Sequence, residues 1–142
     1  MKLSTRGRYG VKAMVELALG YGSKPLSVKT ISSKQNLSEY YLEQLFSPLR
    51  NAGLIKSIRG AQGGYVLNRK PEDITVADII KVLEGPIEIA DCIEGEYCDN
   101  ERYCATRLLW EKIRDSIENV MNGITLHDIV DDYRKMNNIK LK

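Results

Sequence analysis

The sequence predicts a mainly α fold with a small β-hairpin wing: a winged helix-turn-helix followed by a long helix suited to dimerisation. Three observations carry that expectation. Two short capped helices are joined by a tight turn, two alternating strands with a glycine-rich connection follow at once, and later a long stretch repeats apolar residues every four positions. A length of 142 residues, 43% hydrophobic and 28% charged, fits one domain or one small domain plus an association element. No apolar run approaches the roughly 20 residues that span a bilayer. With nothing at the N-terminus resembling a secretory signal, the protein is expected to be soluble and cytoplasmic, with no membrane partner.

From Tyr9 to Leu19 the apolar residues Val11, Met14, Val15, Ala18 and Leu19 recur at helical spacing, with Ser4 or Thr5 available as a cap and Gly20 and Gly22 as stops. Ser27 caps a short helix through Val28, Ile31 and Lys34 that ends near Gln35 and Asn36. Ser38 caps the next, in which Leu42, Leu45, Phe46 and Leu49 form the inward stripe and Gly53 supplies the stop. The stretches from Leu54 to Arg59 and from Gly64 to Leu67 alternate as strands around the tip Gly60-Ala61-Gln62-Gly63-Gly64. No Lys-Ser or Lys-Thr follows those glycines and no helix opens directly after them, so the tip reads as a wing rather than a nucleotide-binding loop.

Charge divides the chain. Residues 1 to 70 hold twelve Lys or Arg against Glu16, Glu39 and Glu43, a surplus of +9, whereas the whole chain carries +2, which leaves −7 for the rest. A polyanion is the partner that such a first half suits, and a helix-turn-helix with a wing makes duplex DNA the expected one. Residues 1–70 are therefore expected to form the DNA-binding region, and residues 71–142 a second region with its own role, built on the cysteine loop and a dimerisation helix. On the third helix, Ser38, Glu39, Tyr40, Glu43, Gln44 and Arg50 lie opposite the apolar stripe, and its N-terminal residues are those that would meet base edges. Gln44 suits adenine, and Glu43 suits a cytosine amino group. A carboxylate among so many cations facing DNA is costly unless it reads or excludes a base. Arg59 at the wing suits a narrow minor groove.

In the second half, Thr75 with Asp78 makes a capping box for a helix from Val76 to Glu84, which Gly85-Pro86 ends. Then come Cys92, Cys98 and Cys104, the only cysteines, with five residues between neighbours and with Asp91, Glu94, Gly95, Glu96, Asp99, Asn100, Glu101 and Arg102 around them. Three thiols do not close as complete disulfides, and clustered cysteines in a polar loop of a reduced protein point to a metal or redox role. Beyond them Ala105, Leu109, Ile113 and Ile117 recur every four residues, beside Leu108, Trp110, Val120 and Met121. Gly123 ends that helix, and Thr125 with Asp128 caps one more. A small first half with its own core leaves such a helix little to bury against except its counterpart in a second subunit, so a homodimer is expected. No Ser/His/Asp set, paired-acid site or cofactor motif suggests an enzyme.

The run LSTRGRYGVKAM, the segment SEYYLEQLFSPLRNAGLIKSIRGAQGGYVL, the helix DIIKVLEGPI and the cysteine spacing together resemble the Rrf family of bacterial winged-helix regulators over nearly the whole chain. The DNA-binding half is most similar to the cysteine-metabolism repressors of that family, and the cysteine loop to its iron–sulfur cluster regulators. The resemblance implies a homodimer on a pseudo-palindromic operator, with Ser38, Tyr41, Glu43 and Gln44 in the recognition helix and Arg59 and Gly60 in the minor-groove wing. It also implies an iron–sulfur cluster, 2Fe–2S or 4Fe–4S, on Cys92, Cys98 and Cys104. The iron–sulfur branch places a histidine three residues after the last cysteine, but here that residue is Arg107, whose guanidinium stays protonated and cannot ligate. Other relatives use an acid near the partner's N-terminus, where this chain has Arg6 and Arg8 and no acid before Glu16. His127, the sole histidine, is expected on the surface. The fourth ligand is thus unassigned among Glu94, Glu96, Asp99, Glu101, a partner-chain group and an exogenous ligand. The competing expectation is a cluster-free, thiol- or zinc-dependent repressor of cysteine metabolism that also contacts a cysteine-metabolism enzyme.

Overall fold

The computed structural model describes residues 3–90, 93 and 104–140. In chain order it contains α1 (Thr5–Leu19), α2 (Val28–Gln35), α3 (Glu39–Asn51), β1 (Ile55–Ile58), β2 (Gly64–Leu67), a 3₁₀ turn (Pro71–Asp73), α4 (Val76–Glu84), α5 (Ala105–Gly123) and α6 (Leu126–Lys140). Each start has a local cause. The Ser4, Ser27 and Ser38 hydroxyls accept from the N–H groups of Gly7, Thr30 and Tyr41, satisfying donors that the helix cannot. Thr75 and Asp78 close a reciprocal capping box, and Thr125 and Asp128 close a second. Asn36, left-handed at φ 55°, ends α2 and turns the chain into α3 within three residues.

α1 begins at Thr5, a full turn before the apolar repeat that announces it. Its first turn is fastened to the end of α4. Glu84 Oε1 accepts from the backbone N–H groups of Ser4 and Gly7, both at 3.1 Å, and from the Ser4 hydroxyl, while Arg6 Nε donates to the Leu83 carbonyl at 3.0 Å. Gly10 gives the room: a Cβ there would lie 2.0 Å from Leu83 Cδ1. Glu84→Ala removes the acceptor from the helix start and is expected to cost about 1 kcal/mol, the usual worth of a cap, readable as a lower urea midpoint. An unchanged midpoint would show that water replaces the carboxylate at no cost.

β1 and β2 form an antiparallel hairpin in the register Ile55 with Leu67 and Ile58 with Gly64. Tyr65 pairs on its other side with Leu26, so the hairpin is sewn to the loop between α1 and α2. The core joins Ala13, Met14 and Leu17 of α1, Ile31 of α2, Leu42, Leu45, Phe46 and Leu49 of α3, Ile55 and Leu67 of the hairpin, Ile79 and Leu83 of α4, and Leu126 and Val130 of α6. The chain returns for that last contribution through a backbone seam. Val76 N–H donates to the Ile124 carbonyl and Leu126 N–H to that of Ile74, both at 2.9 Å, so α4 and α6 start side by side.

α5 is the exception. None of its 19 residues is buried, and the apolar Leu108 and Val120 are each 60% exposed, with Leu109 exposed beside them. At 1.5 Å per residue it is roughly 28 Å long. α4 packs against it.

Candidate nucleic-acid interface and cysteine segment

The stripe of Leu42, Leu45, Phe46 and Leu49 pins α3 to the core and fixes which side it shows to solvent. That side carries Glu39, Tyr40, Glu43, Gln44, Ser47 and Arg50, all exposed, with Tyr40 at 76%. Ser38 is the N-cap, and its hydroxyl is occupied by Tyr41 N–H at 3.0 Å. Tyr41 is half-buried, its ring edge-on to Tyr9 at 6.2 Å, and Lys12 Nζ stands 5.4 Å from the Tyr9 ring centre. Tyr41 thus lashes α3 to α1. At the wing, Arg59 is exposed just beyond β1, and Gly60 takes φ 116°, a conformation L side chains rarely adopt, with open space around it.

One residue of this face is not singled out by the sequence pattern. Tyr65, 7% exposed on β2, donates its hydroxyl to Glu43 Oε2 at 3.1 Å. Burial first, and then the Glu43 carboxylate, raise the phenol above its ordinary value, with Arg50 opposing. A signal was present: Tyr65 alternates in phase with inward Leu67, and a tyrosine turned inward needs a partner for its hydroxyl.

Of the three cysteines, Cys92 and Cys98 lie outside the described residues, as do Glu94, Glu96, Asp99 and Glu101. Cys104 is half-exposed at the N-terminus of α5. The Thr106 hydroxyl, 2.9 Å from Sγ, and then the Arg107 backbone N–H lower the thiol below its ordinary range; desolvation opposes them, while the Thr106 N–H and the Arg107 charge assist. Donors at a helix start favour the thiolate, the form in which a cysteine ligates a metal, so this residue is compatible with a cluster ligand, although no group of three potential ligands is gathered among the described residues. Arg107 turns its Nε to Glu111 at 3.1 Å. The opposite end of the segment is tied to the same helix, because Arg114 Nη1 donates to the Ile93 carbonyl at 3.2 Å. His127 stands elsewhere. It is 46% exposed, with Nδ1 3.2 Å from Glu72 and Nε2 3.3 Å from Asp131. No helix among the described residues is long and apolar enough to cross a membrane.

Residues 3–132 match the Rrf2 family, described as an iron-dependent transcriptional regulator. The chain is 54% identical over 129 residues to the HTH-type transcriptional regulator CymR of Bacillus subtilis strain 168, covering 91% of this chain and 89% of that protein. The solved structure of CymR, the global cysteine regulator of B. subtilis, superposes with a TM-score of 0.83 at 53% identity, covering 92% of this chain and 97% of that one. Identity to the regulator IscR of Aliivibrio salmonicida is 39% over 132 residues, covering 93% and 79% of the two chains. The structure of IscR from T. potens gives a TM-score of 0.78 at 49% identity, covering 94% and 88%.

Proposed function

From the premise that this chain belongs to the Rrf2 family of transcriptional regulators, we propose that it is a homodimer that binds a pseudo-palindromic operator and reports iron–sulfur cluster status to genes of iron–sulfur assembly or cysteine metabolism. Residues 1–70 supply the DNA-binding region and residues 71–142 the sensing and association region. The carrying observation is the juxtaposition of the exposed face of α3 with a hairpin bearing Arg59, in the half that holds the +9 surplus. α3 enters the major groove through Ser38, Tyr40, Glu43 and Gln44. Arg50 sits at the other end of the helix, near the phosphates, and Arg59 and Gly60 enter the minor groove. α5, with no buried residue and three exposed large apolar side chains, supports the dimer by offering a face that only another apolar surface satisfies. The two α3 helices then address half-sites about one turn, roughly 34 Å, apart.

Cys104 fits the cluster, and Cys92 and Cys98 complete the thiolate set this reading assigns. A cluster supplies a group whose loss or oxidation state answers to iron, sulfur and oxidants. The chain's own part is to fix the segment at both ends. Cys104 sits on α5, Arg114 holds Ile93 to α5, and Glu84 holds the segment's entry to α1. A change in the segment is thereby set against the DNA-binding half and the dimer helix at once. The protein works in the reducing cytosol on this reading.

A second reading keeps the DNA-binding half and replaces the cluster by zinc or a bare thiol switch, as a repressor of cysteine metabolism that also contacts a metabolic enzyme. Arg107 at the position three past Cys104, together with the likeness to CymR, favours it. Anaerobic purification with iron, sulfide and zinc analysis separates the two readings: iron and sulfide in equal amounts support the first, stoichiometric zinc or no metal the second.

The wing assignment has its own test. Arg59→Ala is expected to weaken operator binding several-fold and to reduce the slope of log affinity against log salt by about 0.9 for each phosphate that the side chain neutralises. A salt titration with unchanged affinity and slope would remove Arg59 from the interface.

A further inference from the structure

Glu43 is an exposed, flexible side chain in the most cationic half of the molecule. Left alone, such a carboxylate swings away from an approaching polyanion, and whatever discrimination it provides is blurred over its rotamers. The structure does not leave it alone. Tyr65 OH donates to Glu43 Oε2 at 3.1 Å, and Tyr65 is itself immobilised. Its N–H donates to the Leu26 carbonyl at 2.8 Å and its carbonyl accepts from Leu26 N–H at 3.1 Å. Its ring lies 4.8 Å from that of Phe46, which is fully buried and belongs to α3.

We propose that Tyr65 is a positioning residue for base discrimination: from the wing it holds the Glu43 carboxylate in one orientation, with Oε2 engaged by the phenol and Oε1 presented as the acceptor toward the base edge. The inference rests on α3 being the recognition helix. It adds that the wing takes part in reading the major groove without touching it. A single fixed acceptor suits a base that presents an amino donor, cytosine N4 or adenine N6, and repels one that presents only acceptors, such as guanine N7 and O6. Because the phenol is buried and its ionisation is disfavoured, it stays a donor throughout the neutral range.

Tyr65→Phe keeps the ring against Phe46 and removes only the oxygen. Affinities for the operator, and for operators changed at each base pair within reach of Glu43, are measured on the full-length protein, Tyr65→Phe, Glu43→Ala and the double variant. Tyr65→Phe is expected to change operator affinity less than threefold while reducing the discrimination ratio at one base pair about fivefold, the scale of one hydrogen bond. In the Glu43→Ala background, adding Tyr65→Phe is expected to change the ratio no further. If Glu43→Ala loses discrimination and Tyr65→Phe keeps it, the positioning role is overturned while the recognition helix stands. If Glu43→Ala also keeps it, the base-reading role of Glu43 falls, and the proposal with it. Glu43→Gln supplies a second readout, since its amide oxygen still accepts from Tyr65 and turns an NH₂ donor toward the DNA. Preference at the same base pair should then move toward acceptor-bearing bases, and a move of equal size without the Tyr65 hydroxyl would likewise overturn the proposal.

Discussion

Replacing Gly64 with Ala is expected to lower stability by about 3 kcal/mol, or about 10 °C in Tm, and to abolish tight operator binding. The reason is a backbone contact. A Cβ at Gly64 would lie 2.2 Å from the carbonyl oxygen of Leu26, 2.4 Å from its carbonyl carbon and 2.8 Å from the nitrogen of Ser27. None of these atoms can rotate aside, so the strand must lift away from the loop. The two bonds between Leu26 and Tyr65 go with it, each worth about 1 kcal/mol, and so does the setting of the Ser27 cap of α2. The lower chain entropy of Ala in the unfolded state returns at most about 1 kcal/mol, too little to decide the sign. Gly53 is the control. Its φ of 80° strains a side chain but nothing lies within 4 Å, so Gly53→Ala is expected to cost only about 1 kcal/mol. Gly64 also has a positive φ, 156°, so thermal melts of the two variants compare a backbone clash added to a conformational cost with a conformational cost alone, and equal shifts would show that Gly64 is not held against Leu26.

Those two glycines also mark where sequence reasoning stops. Gly53 was legible as a helix stop because the signal is local, a glycine just past an apolar periodicity. The same holds for Ser27, Ser38, the Thr75–Asp78 box and the Thr125–Asp128 box, where donor and acceptor lie three residues apart. Gly64 reads in sequence as the end of the glycine-rich tip and the first residue of a strand, with no sign of its close contact, because the atoms that forbid a side chain there belong to residues 26 and 27. Glu84 is silent in sequence for the same reason: it secures residues about eighty positions away. The Ser4 cap at the start of α1 is local, and Glu84 reinforces it from α4. The return of Leu126 and Val130 to the core depends on long-range seating as well. In the candidate interface, exposure of Tyr40, Glu43 and Gln44 followed from helical phase once the Leu42–Leu49 stripe was recognised. The roles of Tyr41 and Tyr65 did not, because each depends on an aromatic or polar partner on another element.

The same separation between local pattern and distant partner shapes the expected result at the cysteines. Changing any one of Cys92, Cys98 and Cys104 to Ala is expected to abolish the visible absorbance of the anaerobically prepared protein, whereas His127→Ala leaves it intact. Three thiolates are all that the chain can offer an iron–sulfur group, so removal of one leaves two, with Arg107 unable to substitute for it. His127 is the tempting fourth ligand by residue type alone. Yet its two ring nitrogens face Glu72 and Asp131, at 3.2 and 3.3 Å, on the side of the molecule where α6 meets the 3₁₀ turn. Recruiting it would break both contacts, while Cys104 at the head of α5 already lies within reach of donors from Thr106 and Arg107. On the cluster reading, with no histidine at residue 107, the remaining iron coordination would fall to an acidic, partner-chain or exogenous group. A cluster held that way is expected to bleach in air faster than one held by four cysteines. Reconstitution that yields stoichiometric zinc and no visible band would replace the cluster by a structural metal. Loss of absorbance in His127→Ala with all three cysteines present would instead require α6 to leave its place beside Glu72 and join the cysteine segment.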